Sequence, residues 1–272
     1  MSAKKNRYLK SEHSLSEVRK IGWTISENLF EKMSKYEKTY FFFEFASPWS
    51  PSSYTQRLKR IGFSGLGSIL DVGCGMGQWS YSLAAMNESV TGIDTNIERL
   101  AIAKNICEEA KIKNADFLSA NATSLPFENE TFDAIFCYSM IMFVPIQSVL
   151  LEFNRVLKFG GKLYINVDSR GYYLKLLRDS LFKTLNFGMA LTCIKFIARG
   201  LFRKDVFAAI EPKRLGRILT KTGFETLAIA PEGMVWLAGD EKAHIKYQKD
   251  FMLLPYVTEA VAVKLNGTSH TN

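Results

Sequence analysis

Histidine is scarce in this chain, with three in 272 residues, at positions 13, 244 and 270. They are too scattered to suggest a catalytic or metal-binding cluster. The four cysteines, at 74, 107, 137 and 193, include no close pair. That argues against both a zinc site and a disulfide framework. With 7 prolines and 18 glycines the chain is neither collagen-like nor of low complexity. No apolar run approaches the ~18 residues a membrane-spanning helix needs. The charged opening, residues 1–13, has no apolar stretch behind it and does not read as a signal peptide. Apolar side chains are plentiful at 47%, with 20 Phe and 11 Tyr, which excludes intrinsic disorder for the bulk of the chain. The expectation is a soluble protein in the cytoplasm.

The net charge of +8 is unevenly spread. Residues 1–62 hold 12 basic and 6 acidic groups, 63–168 hold 7 and 12, 169–216 hold 10 and 3, and 217–272 hold 6 of each. An acidic middle thus lies between two basic segments. Two readings stay open: solvated lysine-rich helices, or surfaces that meet a partner.

Residues 14 to about 40 carry apolar side chains at roughly helical spacing, interrupted by Gly22, and Ser14 with Glu17 forms a capping-box start. An aromatic run, Tyr40 to Phe45, follows. Pro48 and Pro51 are expected to end any helix there. Tyr54 to Ile61 suits a short basic helix. From residue 68 strands alternate with helices: strands at 68–72, 89–93, 116–118, 132–137 and 162–167, helices at 78–86, 97–110 and 149–157. This alternation predicts βαβ units and a parallel sheet covered on both faces. A helix at 212–222 and late strands at 224–229 and 259–265 complete the pattern, and 266–272 reads as a disordered tail.

The sharpest local signal is Ile69 to Gly77, a strand running into a glycine turn and then a helix. Its spacing is GxGxG. That is neither the GxGxxG of dinucleotide sites nor a P-loop. Asp71, just before the glycines, would repel a pyrophosphate and suits a cofactor with a cationic amino-acid part. Asp94 follows at the carboxyl end of the second strand, where a carboxylate can accept from ribose hydroxyls. Residues 119–123 end the third strand.

These features resemble the class I S-adenosylmethionine (SAM) dependent methyltransferases, in particular their broad small-molecule, methyltransferase-11-like group. The resemblance covers about residues 54–168, with a further match at 212–265. It is carried by Asp71–Gly77, Asp94, Leu125-Pro-Phe127 with Phe132-Asp133, and Leu151 to Gly161. It implies a Rossmann-like α/β fold: a central seven-stranded, mostly parallel sheet with one antiparallel strand and helices on both faces. It also implies SAM as cofactor. The implied contacts are Asp71, Gly73, Cys74, Gly75 and Gly77 around the methionine part, Asp94 with Thr95 at the ribose, and Asn121 with Ala122 at the adenine. Tyr138 is expected to pack on the adenine or line the acceptor site. Cys74 reads as a space-filler in the turn.

Three departures from the family pattern matter. Asn121 stands where the family commonly has Asp, though its oxygen remains an acceptor. Met142 and Phe143 stand where His residues are often found, so no catalytic residue is assigned. No Asn-Pro-Pro-Tyr run follows the fourth strand and no Pro precedes Cys137, which speaks against DNA amino and RNA cytosine methylation.

The expected organisation is an N-terminal helical lid (1–53), a SAM-binding core (54–168), a helical insert over the substrate (169–211), and a closing helix and strands (212–265). The insert, in particular 172–204, is basic and apolar. Lys195, Arg199 and Arg203 are four apart, beside Ile194, Ile197, Ala198 and Leu201. Lid helices packed on the core or across a dimer, peripheral membrane-surface contact, and acidic ligand binding all stay open. The expected reaction is methyl transfer to a small-molecule or lipid-like acceptor, mainly by positioning. An RNA methyltransferase using the basic flanks and a non-catalytic SAM-binding scaffold are the alternatives.

Overall fold

Alternate side chains of the first strand face opposite layers, as strand geometry requires. In the computed structural model, Ile69 belongs to one buried apolar cluster, while Leu70 and Val72 belong to another. The structure describes residues 14–46, 48–202, 206–238 and 250–265. All three histidines, Arg203 with Lys204, and the 266–272 tail lie outside the described residues.

Seven strands form one sheet: β1 (Ser68–Val72), β2 (Ser89–Asp94), β3 (Ala115–Ser119), β4 (Phe132–Cys137), β5 (Leu157–Asp168), β6 (Phe224–Pro231) and, later in the chain, β9 (Val257–Lys264). Their order is β3-β2-β1-β4-β5-β9-β6. β1 to β5 pair in parallel, and β9 runs antiparallel to both β5 and β6. A two-residue ladder, β7 (Asp250–Phe251) with β8 (Leu254–Pro255), precedes β9. The order reverses direction between β1 and β4. At such a switch point the carboxyl ends of the strands open a crevice for ligands.

The N-terminal segment departs from the single long helix its periodicity suggests. It forms α1 (Leu15–Lys20), α2 (Glu27–Lys32) and α3 (Lys35–Phe45). Gly22 takes φ +107°, and Ser26 and Ser34 cap new helices, so local backbone preferences override the apolar spacing. Pro51 starts rather than ends a helix. It occupies the first turn of α4 (Pro51–Arg60), where its missing N–H has no partner to lose.

α5 (Gln78–Ala84) and α6 (Ile97–Glu109) cover one face of the sheet with these helices, and α7 (Ile146–Val156) and α10 (Pro212–Lys221) cover the other. The insert is a helix pair, α8 (Arg170–Phe182) and α9 (Phe187–Leu201). Gly200 does not break α9. A Cβ there would lie 2.3 Å from the Ala209 carbonyl oxygen, so the glycine permits the following loop to close on the helix.

Candidate functional site

The carboxyl ends of β1, β2 and β4 surround a cavity of about 310 Å³, at the low end for ligand pockets. Its floor is the glycine turn. Gly73, Gly75 and Gly77 all have positive φ, which side-chain-bearing residues rarely adopt. The turn is tied to β2: the Gly73 and Cys74 N–H groups donate to the Ile93 carbonyl at 2.8 and 3.0 Å. Gly77 caps α5, and a Cβ on it would stand 2.8 Å from the Ala103 Cβ of α6.

Seven of the residues expected at the cofactor line this cavity: Gly73, Gly75, Asp94, Thr95, Asn121, Ala122 and Tyr138. Asp94 accepts from Gly75 N–H at 3.0 Å and from Asn96 N–H at 2.9 Å. Each carboxylate oxygen keeps a further lone pair for a hydroxyl donor. Asn121 is placed differently from its expected use. Its side-chain oxygen accepts from both the N–H and the hydroxyl of Thr123, at 3.0 and 2.9 Å. A backbone N–H can only donate, so the oxygen must face Thr123, and the amide NH₂ is the part left for a ligand.

The other three expected residues, Asp71, Cys74 and Gly77, are not among the cavity-lining residues. Asp71 is 1% exposed and accepts from the Ser80 hydroxyl at 2.6 Å. Burial raises its pKa to about 7. Cys74 is also buried, and burial pushes its thiol well above the usual range, away from any thiolate chemistry.

Besides Asp94, a second carboxylate reaches the cavity: Glu44 of α3, 4% exposed. It accepts from Gln78 Nε2 at 3.1 Å, and the Tyr54 hydroxyl donates to its backbone oxygen at 2.8 Å. Tyr40, one turn earlier, lies under the Arg99 guanidinium at 4.4 Å. Helix α3 therefore builds one wall of the cavity. Glu44 sits inside the aromatic run Tyr40 to Phe45, and its charge amid five aromatic residues was the one available signal. Ser139, also in the lining, takes φ +53° and is held there by donating its N–H to the buried Asn166 Oδ1 at 2.6 Å.

The opposite wall is apolar, built from Tyr138, Met140, Phe143 and Val144 after β4. Behind it lies a buried charge cluster. Arg57 of α4 approaches Glu232 Oε1 at 2.8 Å and Glu259 Oε2 at 3.1 Å. It also donates to the Tyr164 hydroxyl at 3.0 Å, and the Tyr138 hydroxyl donates to Glu232. Among the described residues, no group of His, Cys, Asp and Glu could hold a metal, and no helix is long and apolar enough to cross a membrane.

Comparison with known proteins gives a consistent family. A family model described as a methyltransferase domain matches residues 69–161. A demethylmenaquinone methyltransferase of Lactococcus lactis is 40% identical over 111 residues, 39% of this chain and 44% of that protein. One of Bacillus cereus is 39% identical over 98 residues, 35% of this chain and 41% of that protein. The chain thus matches less than half the length of these relatives. Among solved structures, the cyclase SpnF superposes with TM-score 0.56 at 18% identity, covering 80% of this chain and 82% of that one. A SAM-dependent methyltransferase of Methanosarcina mazei superposes with TM-score 0.52 at 22% identity, covering 74% and 93%. At such identities these likenesses speak for the fold. The domain match, the relatives and the strand order agree: residues 69–161 match a methyltransferase domain, and the chain has the fold of SAM-dependent methyltransferases.

Proposed function

We propose that the chain transfers a methyl group from SAM to a small, apolar, quinone-like acceptor. One observation carries this reading: the cavity is two-sided. The glycine turn, Asp94 and Glu44 form a polar half, and Tyr138, Met140, Phe143 and Val144 an apolar half. The names of the curated relatives, demethylmenaquinone methyltransferases, favour a quinone-like ring in the apolar half.

The polar half suits the cofactor. In this reading Asp94 takes the ribose hydroxyls, and Asn121 with Ala122 meets the adenine, with Asn121 donating rather than accepting. Gln78 Oε1 and Trp79 Nε1 are buried without hydrogen-bond partners among the described residues, and both side chains belong to the cavity lining. An acceptor and a donor left unpaired cost stability unless a ligand meets them. Together with Glu44 they fit a zwitterionic amino-acid end, with ammonium toward Glu44 and Gln78 and carboxylate toward Trp79.

Bound SAM supplies an electrophilic methyl on a sulfonium. The chain's own part is to hold the acceptor in line with it and exclude water. Positioning of that kind can supply ~7–11 kcal/mol of the barrier. The titratable side chains in the lining are Tyr40, Glu44, Asp94, Arg99 and Tyr138. The nucleophile would be the reduced, hydroquinone form of the acceptor, which gives its proton to solvent while the methyl donor leaves as S-adenosylhomocysteine, so none of them is needed as a base.

Methyl-labelled SAM, incubated with the chain and a cell extract split into lipid, soluble and nucleic-acid fractions, tests the reaction. Label is expected in the lipid fraction. Label confined to nucleic acid would refute the acceptor class, and tight SAM binding with no transfer into any fraction would refute the enzyme.

Two substitutions test the cofactor site by calorimetry. Asp94→Ala should weaken SAM binding by about 10- to 100-fold, the range for hydrogen bonds to a charged group. Unchanged affinity would remove Asp94 from the site. Glu44→Ala should weaken SAM about tenfold or more but leave methylthioadenosine, which lacks the amino-acid end, bound as before. Equal losses for the two ligands would place Glu44 elsewhere.

A further inference from the structure

We propose that the outer face of α8 and α9, with the basic pocket where α9 meets α10, is a docking surface for an anionic lipid bilayer. The inward side of α9 is filled: Ala190 and Cys193 are buried, and Ile197 packs beside them against Tyr173. The outward side carries Phe187, Leu191, Ile194 and Leu201, spaced four, three and seven residues apart, one stripe of a helix. The helix–helix turn adds Phe182 and Leu185. Exposure of these six ranges from 50% at Ile194 to 79% at Phe182. Contiguous apolar surface of this kind marks an interaction site.

Charge on this face is mostly positive. Lys195 and Arg199 are exposed beside the stripe, no Asp or Glu occurs from Ser180 to Phe202, and Asp179 of α8 is engaged by Arg178 and Lys183. At the end of α9 a pocket of about 370 Å³ begins at Gly200 and Leu201 and is lined by Arg170, Lys213, Arg214 and Arg217. Its one acid, Glu211, is engaged by Arg170 at 2.9 Å. Four cations face one carboxylate next to an apolar stripe. That combination fits a plane where acyl chains meet phosphate headgroups. A two-fold contact between copies fits it less well. Pairing α9 with itself would set cations against a helix that offers no carboxylate, because a two-fold interface joins the same patch to itself and α9 has no Asp or Glu.

The face also connects with the cavity. Phe143, half-exposed in the apolar wall, lies 6.0 Å from Phe207, which lies 5.7 Å from Phe196 of α9. A row of packed aromatic rings thus links α9 with the apolar wall of the cavity, where a lipid-borne acceptor would be taken. That last step rests on the methyl-transfer reading; the docking itself does not.

The test is cosedimentation of the intact chain with phosphatidylcholine vesicles, and with vesicles in which a third of the lipid is phosphatidylglycerol. Binding is expected to the anionic vesicles, falling as salt rises, and to be about tenfold weaker or less on the neutral ones. The exposed pair Leu191→Glu with Ile194→Glu should abolish binding while leaving SAM affinity and the thermal midpoint unchanged. Lys195→Glu with Lys213→Glu should weaken binding to anionic vesicles by about tenfold or more. Failure of the unmodified chain to bind anionic vesicles at low salt would overturn the proposal, as would full binding by the Leu191/Ile194 variant. Two further outcomes also overturn it. One is a dimer that the Leu191/Ile194 variant dissociates, with no vesicle binding, which makes the face a contact between copies. The other is inorganic phosphate binding without vesicle binding, which makes the pocket a soluble-anion site.

Discussion

Arg57→Met should destabilise the protein by ~3–5 kcal/mol, the usual loss when a buried ion pair is broken from one side. Arg57 is 2% exposed, and the Glu232 and Glu259 side chains it separates are 1% and 0% exposed. Burial opposes the guanidinium charge, but Tyr164, Glu232, Tyr138 and Glu259 outweigh it and keep the group firmly protonated. Removing it takes away the cation that both sealed carboxylates share. They must then stay charged without it or take up protons. For a chain of this size the loss corresponds to a fall of about 10 °C in the thermal midpoint. Adding Glu232→Gln and Glu259→Gln to Arg57→Met should recover much of that fall, because apolar or neutral replacements of a whole buried cluster are often tolerated. If the single and triple variants melt together, the cost lies in lost packing and not in stranded charge.

Asp71→Asn should change how stability depends on pH, by on the order of 4 kcal/mol between the ends of the window. The folded-state pKa of Asp71 is raised by burial from 3.8 to about 7, with the Ser80 hydroxyl working in the other direction. The folded protein therefore prefers the neutral acid. The stability associated with it is complete below about pH 4 and is lost as pH rises toward 7, since the unfolded chain releases the proton first. The amide cannot ionise and keeps an oxygen for Ser80. The variant should match the parent near pH 4 and exceed it at pH 8, measured by urea unfolding across that range. Asp168, whose carboxyl accepts from Tyr173 at 3.1 Å, is also raised by burial to about 7 and shapes the same window. The comparison must therefore be made between Asp71→Asn and the parent at each pH. Parallel pH curves would show that Asp71 ionises normally.

Local signals explain what was legible in the sequence. The strands of the parallel sheet announce themselves by apolar runs, and the turn by glycines that need positive φ. Asp94 is legible because its position at the end of β2 is a matter of counting. The unread features depend on contacts between distant residues. Glu44 meets Gln78 across 34 positions, and Arg57 meets Glu259 across 202. Nothing near Arg57 in the chain marks it as buried, and its helix reads simply as basic. For Asp71, the motif locates the side chain along the chain but not on which side of the strand it lies. It faces α5 and Ser80, while the cavity takes its carboxylates from β2 and α3. The apolar periodicity of residues 14–40 was genuine, but two serine caps and a glycine divided it.

β9 comes after every other strand in sequence, yet it lies inside the sheet between β5 and β6. Until it inserts, β5 is an open edge, and β6 has no strand to pair with. The charge cluster also waits for it, because Glu259 is carried on β9. The order of assembly is therefore constrained. The parallel strands and their helices can form from near neighbours, but the native interior closes only after a pairing of large sequence separation, the slow kind of step. Before that point the molecule exposes an unpaired strand edge, and crowding during refolding should favour aggregation over closure.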